Sequence, residues 1–272
     1  MFKLTEDAFS PKYGYFIEST LGFLMPNPKS TKLSEIDCKV FEFLGFIVGI
    51  ALVEDIKIWP NFNNFFLNNI LDIENSFIEL KKLDPEYFKN LVNLKNYEGD
   101  IENDFGLNFT IDEEDNGKTK TIELVENGRN INVNQNNKLF YIRRVARYKL
   151  TDCINEHCEK FKNGILKVID EEALKMFTSD EMRQLITGFD KEIDINDMKL
   201  NTEYRKIYIF LFLLIKFIER FNFSNEEDRK GVDDFWEIVN EFDSNEKEKL
   251  LFFVTSLKRP PIIVSHNLIF FI

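Results

Sequence analysis

Thirteen residues from Val40 to Leu52, VFEFLGFIVGIAL, constrain the fold more than any other stretch, because only Glu42 among them is polar. Val40, Phe41, Phe43, Leu44, Phe46, Ile47, Val48, Ile50, Ala51 and Leu52 leave a helix almost no polar face, so it must be covered on nearly all sides. The rest of the chain has to supply that cover, which predicts a layered, mostly helical body. Thr31 and Ser34 are candidate N-caps, since a hydroxyl can accept the free N–H groups of the first turn. Gly45 and Gly49, four residues apart, would let a neighbouring element approach the backbone. A membrane span is excluded here: Asp37 and Glu42 interrupt the run, which falls short of the ~18 apolar residues required.

At 272 residues, 44% of them hydrophobic, the chain can bury a large core and is long enough for two domains. A net charge of −12 opposes binding to a phosphate backbone, so no nucleic-acid partner is expected. Arg143, Arg144, Arg147 and Lys149 cluster on one predicted helix and read as a solvated face. The opening MFKLTEDAFS has no signal-peptide pattern, and Cys38, Cys153 and Cys158 are too few for a disulfide scaffold. A reducing compartment, cytoplasm or nucleus, is the expectation.

Residues 1 to 33 read as short strands and loops. Asn61 to Leu71 forms a second helix whose Phe62, Phe65, Phe66 and Ile70 are core-forming. Asp84-Pro85 opens a third, with proline tolerated in its first turn and Tyr87, Leu91 and Leu94 in one stripe. Leu139 to Phe161 reads as one long helical segment, on which Cys153 and His157 would share a face. That is a weak case for metal or thiol chemistry, because Cys158 points elsewhere and the remaining histidine, His266, is remote. Thr178 with Glu181 makes a capping box for a helix stopping at Gly188.

Tyr97 to Asn132 reads as strands joined by turns. Leu107, Phe109 and Ile111 alternate with polar residues, as do Ile122 and Leu124. Asn116-Gly117 and Asn127-Gly128 supply turn chemistry. Asp112, Glu114, Asn116, Gly117 and Glu123 fall at the spacing of a calcium loop. Such a loop needs a helix on each side, whereas β-prone FTI and TIELV flank this one. Gly117-Lys118-Thr119 resembles the end of a phosphate loop, but Asp112 in the place of its first glycine would repel phosphate. No metal or cofactor is expected.

Longer runs carry a resemblance. YEG, DFGLNFTIDEEDNGKTKTIELVENGRNINV and LFYIRRVARYKLTD are similar to the centre of a HECT-type ubiquitin ligase domain. FSPKYGYF, FEFLGFIVGIALVEDIKI, DPEYFKNL, LITG, TEYR and FWEIVNEF agree in order, although Phe46 stands where the family tends to carry arginine. The resemblance implies an α+β fold. A mostly helical N-lobe spans residues 1–187, with an inserted hairpin-containing subdomain at about 75–152. A hinge of Gly188, Phe189, Asp190 and Lys191 follows, then part of an α/β C-lobe at 192–272. It also implies that the inserted subdomain docks a ubiquitin-conjugating enzyme in an apolar groove. By position Tyr87, Asn90, Leu91, Leu94 and Tyr97 would line that groove, with Phe105 and Leu107 from the first strand and Tyr141 from the next helix.

The implied activity is transfer of ubiquitin from that enzyme, through a cysteine thioester, to a substrate lysine. Ubiquitin and a protein substrate are therefore further partners. Residues 205–234 and 261–272 depart from the family pattern, as translated non-coding sequence would, and the family's nucleophilic cysteine would lie beyond them. The chain is thus expected to begin inside its domain and to lack its nucleophile, leaving no catalytic residue to assign. The rival reading is a non-catalytic module that binds the conjugating enzyme and transfers nothing.

Overall fold

The computed structural model describes residues 2–19, 21–28, 33–115, 118–188, 193–200, 202–203, 226–255 and 270–271. The architecture is mostly helical with small two-stranded sheets, in agreement with the α+β expectation. The chain opens on α1 (Phe2–Ala8), where only strands and loops were anticipated. Then β1 (Phe16–Glu18) and β2 (Leu24–Pro26) pair antiparallel.

The apolar stretch forms α2 (Glu35–Val53), closed at its start by a capping box in which Ser34 and Asp37 each accept the other's backbone N–H. Thr31, the other candidate cap, lies outside the described residues. From Val40 to Leu52 only Phe43 faces solvent, while Phe41, Leu44, Ile47, Val48 and Ala51 are sealed; beyond that stretch Ile36 and Val53 extend the exposed flank. The succeeding elements are α3 (Asn64–Ile70), α4 (Leu80–Leu83), α5 (Pro85–Asn96), α6 (Ile101–Phe105), β3 (Thr110–Asp115) and β4 (Lys118–Glu123).

The expected single helix over 139–161 is two, α7 (Lys138–Leu150) and α8 (Asn155–Ile165), joined by a tight turn. The break is Thr151, at φ −135° and ψ −62°, and distant residues hold it there. Asn69 Nδ2 donates to the Leu150 carbonyl at 2.8 Å, Thr151 Oγ1 donates to Asn69 Oδ1, and Asn75 donates to Thr151 Oγ1.

Helix α8 is the principal neighbour of α2. They meet backbone to backbone, for a Cβ at Gly45 would lie 1.9 Å from the Phe161 carbonyl oxygen, and one at Gly164 1.9 Å from that of Glu42. The close approach inferred from Gly45 and Gly49 is therefore observed. Around it Phe9, Phe16, Phe62, Phe66 and Phe161 build an aromatic core of largely edge-to-face contacts, 5.2 to 6.4 Å between centroids.

After α9 (Glu171–Leu174), α10 (Ser179–Thr187) starts on the predicted Thr178/Glu181 box and stops at Gly188, φ 91°. Buried Lys57 pairs with Asp55 and donates to the Leu185 carbonyl in that last turn, where the helix dipole favours a cation. A second, smaller core joins Ile195 and Met198 of α11 (Ile195–Leu200) to Trp236 and Val239 of α12 (Glu226–Asn240) and Leu251 of α13 (Ser244–Thr255). The end of the departing stretch 205–234 is thus part of a helix. In the departing tail, Phe270–Phe271 forms β6, parallel to β5 (Thr202–Glu203).

Candidate functional site

The region expected to dock a partner is assembled from α5 outward. Asp84 Oδ1 accepts from Tyr87 N at 2.9 Å with Pro85 at the first helical position, so the cap fixes the phase of the stripe behind it. Leu91 and Leu94 are consequently sealed, Tyr87 is half-buried beneath the Lys149 ammonium, 4.5 Å from its ring centre, and Asn90 is exposed. Tyr97 ends the helix. Its carbonyl accepts from Lys138 Nζ (2.7 Å) and Gln135 Nε2 (3.0 Å), fastening this corner to the entry of α7.

Phe105 and Leu107 are not on the first strand: Phe105 ends α6, and Leu107 lies in the extended link before β3. The signals are local and easily missed: Asp100 caps a single turn by accepting from Asn103 N, and Gly106 closes it at φ 58°. The link pairs with residues after the hairpin, Val133 N donating to Leu107 O at 2.8 Å and Asn108 bridging Asn132, so the hairpin ladder begins only at Thr110. It runs on through Asp115 and Lys118, further than alternation alone suggested. Of the second turn dipeptide, Asn127 adopts the positive φ; Gly128 is needed because a Cβ there would sit 2.4 Å from the Phe109 carbonyl oxygen.

Tyr141, 5% exposed, is edge-on to Phe109 at 5.4 Å. Burial raises the Tyr141 phenol, and burial first, then Tyr141 and Asp84, raises that of Tyr87. The eight predicted residues therefore divide: Leu91, Leu94 and Tyr141 are sealed, Tyr87, Tyr97 and Leu107 are half-buried against the core, and Asn90 and Phe105 face solvent. Phe105, 49% exposed, meets Tyr97 edge-on at 4.9 Å. Sequence reasoning missed Phe140, half exposed with its ring 5.6 Å from that of Phe109. Its signal is phase: Phe140 falls off the Tyr141, Ile142, Val145 stripe that α7 buries.

The segment carrying Tyr97 and Phe105 is acidic. Glu98, Asp100, Glu102 and Asp104 are all exposed, and none belongs to an ion pair among the described residues. Their partners are neutral: Asp104 accepts from the Tyr97 hydroxyl at 2.5 Å and Glu102 from Asn132 Nδ2 at 2.7 Å.

Neither thiol of this region is poised as a nucleophile. Cys153 sits in the turn between α7 and α8 and donates to the Lys149 carbonyl; burial, with Glu113 adding, pushes it up to about 12. Burial pushes Cys158 up as well. The predicted shared face of Cys153 and His157 is lost with the helix break, and His157 packs edge-on to Phe41 at 5.0 Å. In place of a calcium loop, Asp112 accepts from Thr121 across the hairpin and Glu123 pairs with Arg129. Among the described residues no group of three His, Cys, Asp or Glu could hold a metal ion, and no helix is long and apolar enough to cross a membrane. Of the expected hinge, Gly188 is described; Phe189, Asp190 and Lys191 lie outside the described residues.

Residues 2–272 match the family model described as HECT-domain (ubiquitin-transferase). Similar proteins include a probable E3 ubiquitin protein ligase of Schizosaccharomyces pombe, 35% identical over 96% of this chain and 24% of that protein. The E3 ubiquitin-protein ligase UPL6 of Arabidopsis thaliana is 31% identical over 97% and 24%, and a ubiquitin-protein ligase of Homo sapiens 32% over 88% and 21%. The chain belongs to the HECT-domain family. It spans about a quarter of the length of these curated relatives.

Proposed function

We propose that this chain is the part of a HECT-type ubiquitin ligase that receives the ubiquitin-conjugating enzyme, with Tyr97, Phe105 and Leu107 as the contact surface and Leu91, Leu94 and Tyr141 as its floor. The observation that carries this reading is the half-exposed ring of Phe105 set edge-on against a partly buried Tyr97 in a HECT-family chain. Aromatic anchors supply most of the affinity of such contacts when desolvated. Asn90 and Tyr87 on α5 would extend this surface. The hinge at residues 188–191 would let the following lobe turn toward the docked enzyme.

In the complete reaction a ligase thiolate attacks the thioester carbonyl of the delivered ubiquitin, the conjugating enzyme's thiolate leaves, and a substrate lysine then attacks the new thioester. The Cys153 and Cys158 thiols are both pushed up, Cys158 being fully buried, and all three cysteines precede Gly188. The chain therefore binds the conjugating enzyme without itself accepting ubiquitin. Mixing it with a ubiquitin-charged conjugating enzyme should give a complex and, on a non-reducing gel, no reducible adduct. Phe105→Ala should weaken that complex by about 1–3 kcal/mol. A thioester on Cys38, Cys153 or Cys158, or unchanged affinity in Phe105→Ala, overturns the assignment.

A further inference from the structure

The geometry points to selection of the conjugating enzyme by charge: the carboxylates of Glu98, Asp100, Glu102 and Asp104 fit a partner whose apolar docking loop is flanked by lysine or arginine. This inference rests on the docking reading above and adds to it the chemistry of the partner. Four carboxylates lie within the nine residues YEGDIENDF, between the two aromatic contact residues Tyr97 and Phe105 that bound the segment. All four are exposed and none is neutralised by an ion pair among the described residues. The nearby Lys138 ammonium is occupied by the Tyr97 carbonyl. Asp104 is fixed rather than floating, because the Tyr97 hydroxyl holds it beside the ring pair. An apolar side chain seated on Phe105 would thus bring its flanking cations to a carboxylate already in place.

Exposed rim charges of this kind act mainly on encounter: they raise the association rate and make it salt-dependent, whereas buried anchors set the dissociation rate. The two contributions are therefore separable. Binding kinetics should be measured with a conjugating enzyme bearing lysine or arginine around its docking loop, and with its variant in which those cations are glutamate. The variant Glu98→Gln/Asp100→Asn/Glu102→Gln/Asp104→Asn keeps one acceptor oxygen at each position, enough for Asn103 N at the cap of α6, while removing the charge.

Its association rate at low salt should fall about tenfold, its salt dependence should flatten, and its dissociation rate should change less than about twofold. Glu98→Gln/Glu102→Gln, which leaves the α6 cap untouched, should show a smaller loss in the same direction. Glu102→Lys/Asp104→Lys should recover association with the glutamate-bearing enzyme. Unchanged association rate and salt slope in the neutralised variant, with dissociation still faster in Phe105→Ala, would overturn charge selection and leave the docking surface standing. If Phe105→Ala changes nothing either, both readings fall.

Discussion

Gly45→Ala puts the α2–α8 contact to a direct test. The added methyl would lie 1.9 Å from the Phe161 carbonyl oxygen and 2.8 Å from its carbon. A carbon and a carbonyl oxygen ordinarily approach to about 3.3 Å, so the helices must part by about 1.4 Å along that line. Both partners are backbone, so no side chain can swing aside. Parting also shifts the Phe161 ring, which touches Phe9, Phe16, Phe62 and Phe66, and a gap of about 0.5–1 Å already forfeits a quarter to a half of each contact's attraction. Against this stands the helix preference for alanine, worth about 1 kcal/mol. Overpacking of this severity costs about 3 kcal/mol or more, so the net loss should be at least ~2 kcal/mol. In urea unfolding followed by far-ultraviolet circular dichroism, a slope of about 3 kcal/mol/M makes that a midpoint roughly 0.7 M lower. Gly49→Ala is the control: its methyl meets the Ile165 carbonyl oxygen at 3.2 Å, and a small relaxation suffices. Gly164→Ala strains the same interface from the other helix, so the double variant should lose less than the sum of the two. If Gly45→Ala is as stable as the parent chain, the close-contact reasoning is wrong.

Asn75→Leu should cost about 2–3 kcal/mol in the same assay, because it strips donors from the Phe65 and Leu150 carbonyls and from Thr151 at the turn between α7 and α8. Burial holds the His157 imidazole below its ordinary 6.5, with Glu156 and Asp37 partly offsetting. The unfolded chain therefore takes up this proton first, so stability is lost as pH falls from about 6.5 through the lower folded value, by no more than ~1.4 kcal/mol per pH unit; comparison with His157→Gln across pH 7 to 5 isolates that slope, and parallel curves would refute it. In native protein a thiol reagent should modify Cys38 ahead of Cys153, whose thiol is pushed up to about 12, and Cys158, buried as well, should react only on unfolding; mass mapping of the adducts decides it.

What the sequence made legible was local chemistry. Ser34, Asp84 and Thr178 announce the starts of α2, α5 and α10, and Gly188 the end of α10, because each cap is satisfied within four residues of itself. Gly45 and Gly49 announce a close neighbour without naming it. The break at Thr151 was out of reach: the groups that hold it, Asn69 and Asn75, lie some eighty residues away and read only as polar positions. The same limit divides the candidate site. Leu91 and Phe105 are equally apolar in sequence, yet one is sealed and the other half exposed, and only the packing of α7 and the hairpin link decides which. Periodicity can nevertheless be read for exceptions as well as for stripes. A helix that buries Tyr141, Ile142 and Val145 leaves Phe140 out of phase, so this aromatic is half exposed to solvent and, under the docking proposal, becomes a residue to test beside Phe105. Phe140→Ala should therefore leave the unfolding midpoint close to that of the parent chain. If it unfolds the protein instead, Phe140 is core, and phase is no guide to this surface.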